Sequence, residues 1–225
     1  MNSEFLGWNN HFQQTFDALN CPAAVPARVA TENRGHYVLL TADAVLNAHV
    51  AGALRHVAAP GALPVTGDWV AAAPCGPAEA VIQHVLPRTS AVERRAAGPR
   101  PEKQVLAANV DVLFLVSGLD GDYNLRRIER YLAMAWDSGA RPVIVLNKSD
   151  RHPDPAQAVA EVTAIAPGAG VLALSARTGA GVEALLAQLR PGQTAAFLGS
   201  SGVGKSSLIN RLAGWERQTT REVRE

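Results

Sequence analysis

Residues 195–198, Ala-Ala-Phe-Leu, run directly into Gly199-Ser200-Ser201-Gly202-Val203-Gly204-Lys205-Ser206, and an apolar-periodic stretch follows at 205–212. A short apolar strand, a loop of the form G-x-x-x-x-G-K-[ST] and a helix, in that order, leave few folds open. Glycines at these spacings let the backbone curl until successive N–H groups face one point, where they attract phosphate oxygens. The helix N-terminus adds its partial positive charge. The pattern predicts that Gly199, Ser201, Gly202, Val203 and Gly204 cradle phosphate, that Lys205 reaches the β- and γ-phosphates, and that the Ser206 hydroxyl coordinates Mg²⁺.

The stretch before this loop has the matching texture. Apolar strands are expected at 110–117, 143–146, 171–174 and Ala195–Leu198, and helices at 124–137, Pro155–Ile165, 182–189 and 205–212. Continuous apolar strands alternating with helices predict a parallel sheet covered on both faces, an α/β architecture. Ligands of such sheets bind beyond the carboxyl ends of the strands. The loop after residue 146 reads Asn147-Lys148-Ser149-Asp150. Asp150 is placed to accept two parallel hydrogen bonds from N1–H and N2–H₂ of guanine, a donor pair that adenine lacks. Asn147 supports the loop and the base edge, and the stem of Lys148 covers the ring face. After the next strand come Ser175 and Ala176, where a free backbone N–H could meet guanine O6. Asn and Asp are ordinary turn residues, so it is the position of the set after buried strands, beside a phosphate loop, that lends it weight.

The guanine-type loops precede the phosphate loop, whereas the usual order is the reverse. A sheet closed by surface loops can be cut and rejoined without altering the site, so the order predicts a circularly permuted P-loop domain.

The first half of the chain reads differently. Residues 1–23 form an N-terminal segment with an apolar face of Phe5, Leu6, Trp8, Phe12, Phe16 and Leu19. Short strands are expected at 27–32, 36–42, 44–54, 68–73 and 80–86, separated by turns such as Asn33-Arg34-Gly35. Five short strands fit a small all-β barrel at 24–88, although pattern alone allows a plain antiparallel sheet equally well. Residues 89–104 read as a linker with Arg94, Arg95, Arg100 and Lys103, broken by Pro99 and Pro101, and 105–225 as the α/β domain. The formal charge of +1 offers no global field to recruit nucleic acid or membrane, so any nucleic-acid surface must be local. Cys21 and Cys75 stand apart, without ligand spacing, which argues against a disulfide framework and against zinc within these residues. The expectation is a protein of the cytoplasm, without membrane contact.

At this point the sequence resembles a family. The barrel-like region followed by QVLAANVDVLFLVSG, NLRRIERYL, NKSD, LSARTG and GSSGVGKSSLINRL is similar to the ribosome small-subunit-dependent GTPase A family (RsgA, also called YjeQ). The resemblance covers the chain from about Trp8. It implies an OB-fold barrel, a circularly permuted GTPase domain using GTP/GDP and Mg²⁺, and a role in late maturation of the small (30S) ribosomal subunit through contact with its rRNA. By motif, Asn147, Lys148 and Asp150 read guanine, and Gly202 to Ser207, Ser207 included, hold phosphates and Mg²⁺. The family implies a monomer at full length.

Family members continue with a threonine-rich switch, a D-x-P-G loop and a C-terminal zinc domain, none of which the sequence shows before Glu225. Thr219 and Thr220 receive no role. The expectation is therefore a truncated chain that binds nucleotide, hydrolyses it poorly, exposes strand Ala195–Leu198 as an apolar edge, and aggregates or is disordered near its end. Zinc is expected only in the domain beyond this sequence. Two other readings stay open: a non-catalytic RNA-binding module with a nucleotide pocket and, more distantly, an ATP-using P-loop enzyme, which Asp150 opposes.

Overall fold

Eleven strands and six α-helices form two units in a computed structural model that describes residues 3–59, 61–95 and 103–214. One unit comprises residues 1–110 with 191–194, the other 111–190 with 195–225.

In the first unit, β1 (Val25–Asn33), β2 (His36–Leu40), β3 (Val45–Val50), β4 (Trp69–Gly76) and β5 (Glu79–Val85) close into a barrel in the order β1-β2-β3-β5-β4. This is an OB-type barrel. Arg34 and Gly35 join β1 to β2 with φ of 52° and 84°, the paired positive values of a type I′ turn, whose twist suits the flanking strands. Side chains of β3 alternate strictly between exposed and buried, so Leu46, Ala48 and Val50 join Ala27, Val29, Leu39, Val70 and Ile82 in the barrel core. Helix α1 (Asn10–Ala18) is capped by Asn9, whose side chain accepts from the N–H groups of His11 and Phe12. It buries Phe12 against Trp69 and Leu86, with Leu6, Trp8, Phe16 and Leu19 packed around them. Of the expected apolar face only Phe5 points to solvent, on a separate 3-10 turn.

Two expectations here need correction. The strand expected through residue 54 ends at Val50, and α2 (Gly52–Val57) follows. The alternation that holds β3 to the barrel lapses at Ala51, and Leu54 instead packs on the core from the helix. The stretch read as a linker carries β6 (Ala91–Arg95), paired antiparallel with β7 (Lys103–Ala108). Half-buried residues flank a buried Val92 in β6, an alternation that the run of arginines hides. Pro99, Arg100 and Pro101 lie outside the described residues.

In the second unit, β8 (Val112–Gly118), β9 (Arg141–Asn147), β10 (Gly170–Ala173) and β11 (Ala195–Leu198) form a parallel sheet in the order β10-β9-β8-β11. All seven residues of β8 are buried, as a central parallel strand covered on both faces requires. Helix α3 (Leu125–Ser138) starts at an Asn124 cap and ends at Gly139 in the left-handed region. Helix α4 (Pro155–Ile165) has Asp154 as cap and proline in its first turn. The helix expected over 182–189 shrinks to α5 (Glu183–Leu186), because turns at Gly181–Val182 and Ala187–Gln188 leave one helical turn between them. Helix α6 (Lys205–Ala213) follows the phosphate-type loop. Among the described residues β11 lies at one edge of the sheet. The tract 215–225, with Thr219 and Thr220 and the expected C-terminal disorder, lies outside the described residues. No described helix is long and apolar enough to cross a membrane.

Candidate nucleotide site

The carboxyl ends of all four parallel strands meet around one residue. Asn147, the last residue of β9, is 2% exposed. Its Nδ2 donates to the Val203 carbonyl at 2.7 Å, inside the phosphate-type loop. Its Oδ1 accepts from the Ala176 N–H at 2.9 Å, beyond β10. Its own carbonyl accepts from the Leu119 N–H at 2.7 Å, beyond β8. Three loops far apart in sequence are thereby held in one arrangement, and sequence reasoning had cast Asn147 partly as a contact to the base. The Ala176 N–H, expected to be free for a base oxygen, is spent on this clamp.

The loop from Gly199 to Gly204 wraps the N-terminus of α6. Val203 is fully buried, Ser201 is exposed, and Gly199, Gly202, Gly204, Lys205, Ser206 and Ser207 are half-buried. Gly204 has φ of 96°, and a Cβ there would stand 2.3 Å from Asn147 Nδ2. Both the left-handed backbone and the close approach therefore demand glycine. The Lys205 ammonium donates to the carbonyls of Gly199 at 2.8 Å and Ser200 at 2.7 Å, which holds it at the rim of the loop. Burial pushes its pKa down, and the Asp122 carboxylate opposes that shift.

The guanine-type residues stand close by. Lys148 adopts φ of 63°, uncommon for a residue with a side chain, and its ammonium pairs with Asp120 at 2.6 Å. Burial alone would raise the Asp120 carboxyl, but the hydrogen bonds from Lys148 and from the Asp122 backbone hold it below the usual range. Asp150 accepts from Ser175 Oγ at 2.5 Å and from Arg177 Nε and Nη2 at 3.0 and 2.6 Å. These bonds, that of Ser175 foremost, lower its pKa. Ser175 is 1% exposed, so it serves the carboxylate from beneath. Helix α6 reaches back to the same loop, where Arg211 donates to the carbonyls of Ala176 and Arg177.

All the expected site residues thus gather at one end of one sheet. The residues that sequence reasoning missed lie after β8. Asp122 accepts from both Ser200 and Arg127, and Arg127 also donates to Ser200 at 2.8 Å. Asp120 anchors Lys148. A signal was present, since Asp120-Gly121-Asp122 follows the carboxyl end of a buried strand, where ligand-side loops lie.

The sequence profile of the family described as RsgA GTPase matches residues 85–225. The chain belongs to the RsgA GTPase family. A relative from Opitutus terrae, named small ribosomal subunit biogenesis GTPase RsgA, is 51% identical over 96% of this chain and 61% of its own length. One of the same name from Syntrophotalea carbinolica is 46% identical over 99% of this chain and 63% of its own. The chain spans about three fifths of the length of these curated relatives. Among solved structures, YjeQ from Thermotoga maritima is similar with a TM-score of 0.69 and 26% identity, covering 88% of this chain and 68% of that one. YloQ, described as a circularly permuted GTPase, is similar in fold with a TM-score of 0.63 and 22% identity, covering 87% of this chain and 66% of that one. The permuted P-loop architecture preceded by a barrel is therefore the family's.

Proposed function

We propose that this chain binds guanine nucleotides with Mg²⁺ as the nucleotide-holding part of a cytoplasmic, monomeric GTPase that acts in late maturation of the small ribosomal subunit, in contact with its rRNA. The observation that carries the nucleotide reading is the Asn147 clamp, which joins the phosphate-type loop to both guanine-type loops. The ribosomal part rests on the printed names of the relatives.

In this reading the backbone of Gly199–Ser206, aided by Ser207, holds the phosphates. Lys205 turns its ammonium to the β- and γ-phosphates, where it offsets charge that develops during hydrolysis. Asp150 takes the paired donors of guanine, and Lys148 covers the ring. Mg²⁺ fits the donor set. It keeps several waters and uses few protein ligands beside phosphate oxygens, and Ser206 in the first turn of α6 supplies a hydroxyl. Among the described residues no group of three or more His, Cys, Asp or Glu is arranged for a metal, and the protein ligand this reading assigns to Mg²⁺ is Ser206. When bound, the ion neutralises charge between the phosphates.

Isothermal titration with GDP and ADP, each with Mg²⁺, on wild type and Asp150→Ala tests this. Tight GDP binding, weak ADP binding and loss of GDP binding in the variant are expected. Absence of GDP binding by the folded chain would sink the reading and leave the second one, an RNA-binding module, which the closed OB-type barrel favours.

A further inference from the structure

The proposed function assigns the Asp150 carboxylate to the N1–H and N2–H₂ donors of guanine, yet both of its oxygens already have partners within the protein. Ser175 Oγ donates to Oδ1, and Arg177 donates to Oδ2 from both Nε and Nη2. Nε–H and Nη2–H lie side by side on one planar N–C–N edge. The N1–H and N2–H₂ donors of guanine lie side by side on an edge of the same N–C–N composition. The arginine and the base therefore ask for the same acceptor with the same chemistry.

The two ends of Arg177 are held very differently. Its backbone is anchored, because its carbonyl accepts from Arg211 Nη2 at 2.9 Å and the neighbouring Ala176 N–H is clamped by Asn147. Its side chain is 71% exposed, whereas that of Asp150 is 14% exposed. A long exposed side chain on a fixed backbone can leave the carboxylate without disturbing the loop. Ser175, 1% exposed, cannot.

From this geometry we infer that Arg177 sets the guanine-nucleotide affinity as an internal surrogate for the guanine edge: it pairs with Asp150, is displaced by the base, and returns when the base leaves. This inference rests on the reading of Asp150 under the proposed function. An arriving guanine must break the Arg177 pair, so its apparent affinity is reduced. A departing guanine leaves a carboxylate that is re-paired at once, which favours exchange. Adenine lacks the donor pair and does not displace the arginine. Exposed ion pairs are weak, so the competition is worth about two- to fivefold in affinity.

The test is titration of the whole chain with GDP and with ADP, both with Mg²⁺, on wild type, Arg177→Ala, Arg177→Lys, Asp150→Ala and the Asp150→Ala/Arg177→Ala double variant. Arg177→Ala should bind GDP about two- to fivefold tighter with ADP unchanged. Arg177→Lys, which keeps the charge without the planar edge, should gain similarly. In the Asp150→Ala background the removal of Arg177 should change nothing. Unchanged or weaker GDP binding by Arg177→Ala, an equal gain for ADP, a lysine variant that behaves as wild type, or a gain that persists without Asp150 would each overturn the inference. Failure of Asp150→Ala alone to weaken GDP binding would instead overturn the base reading on which it stands, and a wild-type chain that binds no GDP would overturn both.

Discussion

Asn147 and Asp150 lie three positions apart, and their environments give them different work. Asn147 is buried and spends both ends of its amide on neighbouring loops. Its replacement by alanine leaves the Val203 carbonyl and the Ala176 N–H without those partners, each a buried group whose desolvation is no longer offset. Asn147→Ala should lose about 2–3 kcal/mol of stability together with GDP binding, whereas Asp150→Ala should lose GDP binding with a much smaller change in melting temperature. Thermal melts and titrations on both variants check the contrast. Asp150 also carries a pH signature. Its folded pKa is lowered by Ser175 and then Arg177, below an unfolded value of about 3.9. A depressed carboxylate contributes stability that is present above the unfolded pKa and is lost as pH falls through the folded one. The melting temperatures of wild type and Asp150→Asn should therefore differ by a constant amount above about pH 5 and converge as pH falls below the unfolded value. A gap that widens on acidification would contradict the charge-based role.

At the scale of elements, the join between β11 and α6 is the least tolerant part of the second unit. Gly204→Ala puts a methyl 2.3 Å from the Asn147 amide, on a backbone of φ 96° that alanine disfavours. The loop and the clamp cannot both persist, so this variant should lose nucleotide binding and melt at a lower temperature. A normal GDP titration by Gly204→Ala would show that the loop does not depend on the clamp. The elements of this unit were well legible in sequence. Helix α4 spans the Pro155–Ile165 expected of it, and β11 the expected Ala195–Leu198. The hairpin of β6 and β7 was not legible, since strands that pair, among the described residues, only with each other carry a weak alternation that charged residues mask.

At the scale of the whole molecule, each unit builds its own core, one inside the barrel and one about the parallel sheet. Within the sheet, burial is graded. β8 is paired on both sides and buried throughout, while β11 pairs only with β8 among the described residues and is half-buried along its length. Backbone amides are protected in proportion to such coverage. Hydrogen exchange should therefore be slowest in Val112–Gly118 and measurably faster in Ala195–Leu198. Addition of GDP should slow exchange at the loop after β11, because a ligand that binds only the folded state stabilises what it touches. Equal protection of the two strands would show that β11 is covered along its open side.

Sequence alone determined where the candidate phosphate and guanine loops lie, because a glycine-rich turn between strand and helix, and an Asn-Lys-Ser-Asp run after a buried strand, are local patterns. It also determined the permuted order of those loops, since order is a property of the chain. Only the tertiary structure decided which groups meet there. That Asn147 is a clamp, that Arg177 faces Asp150, and that Asp120 joins Lys148 and Asp122 joins Ser200 are facts about groups brought together across 27 to 78 positions. Such pairings depend on how four parallel strands are ordered, and strand order is set by side chains packing in three dimensions rather than by any local pattern.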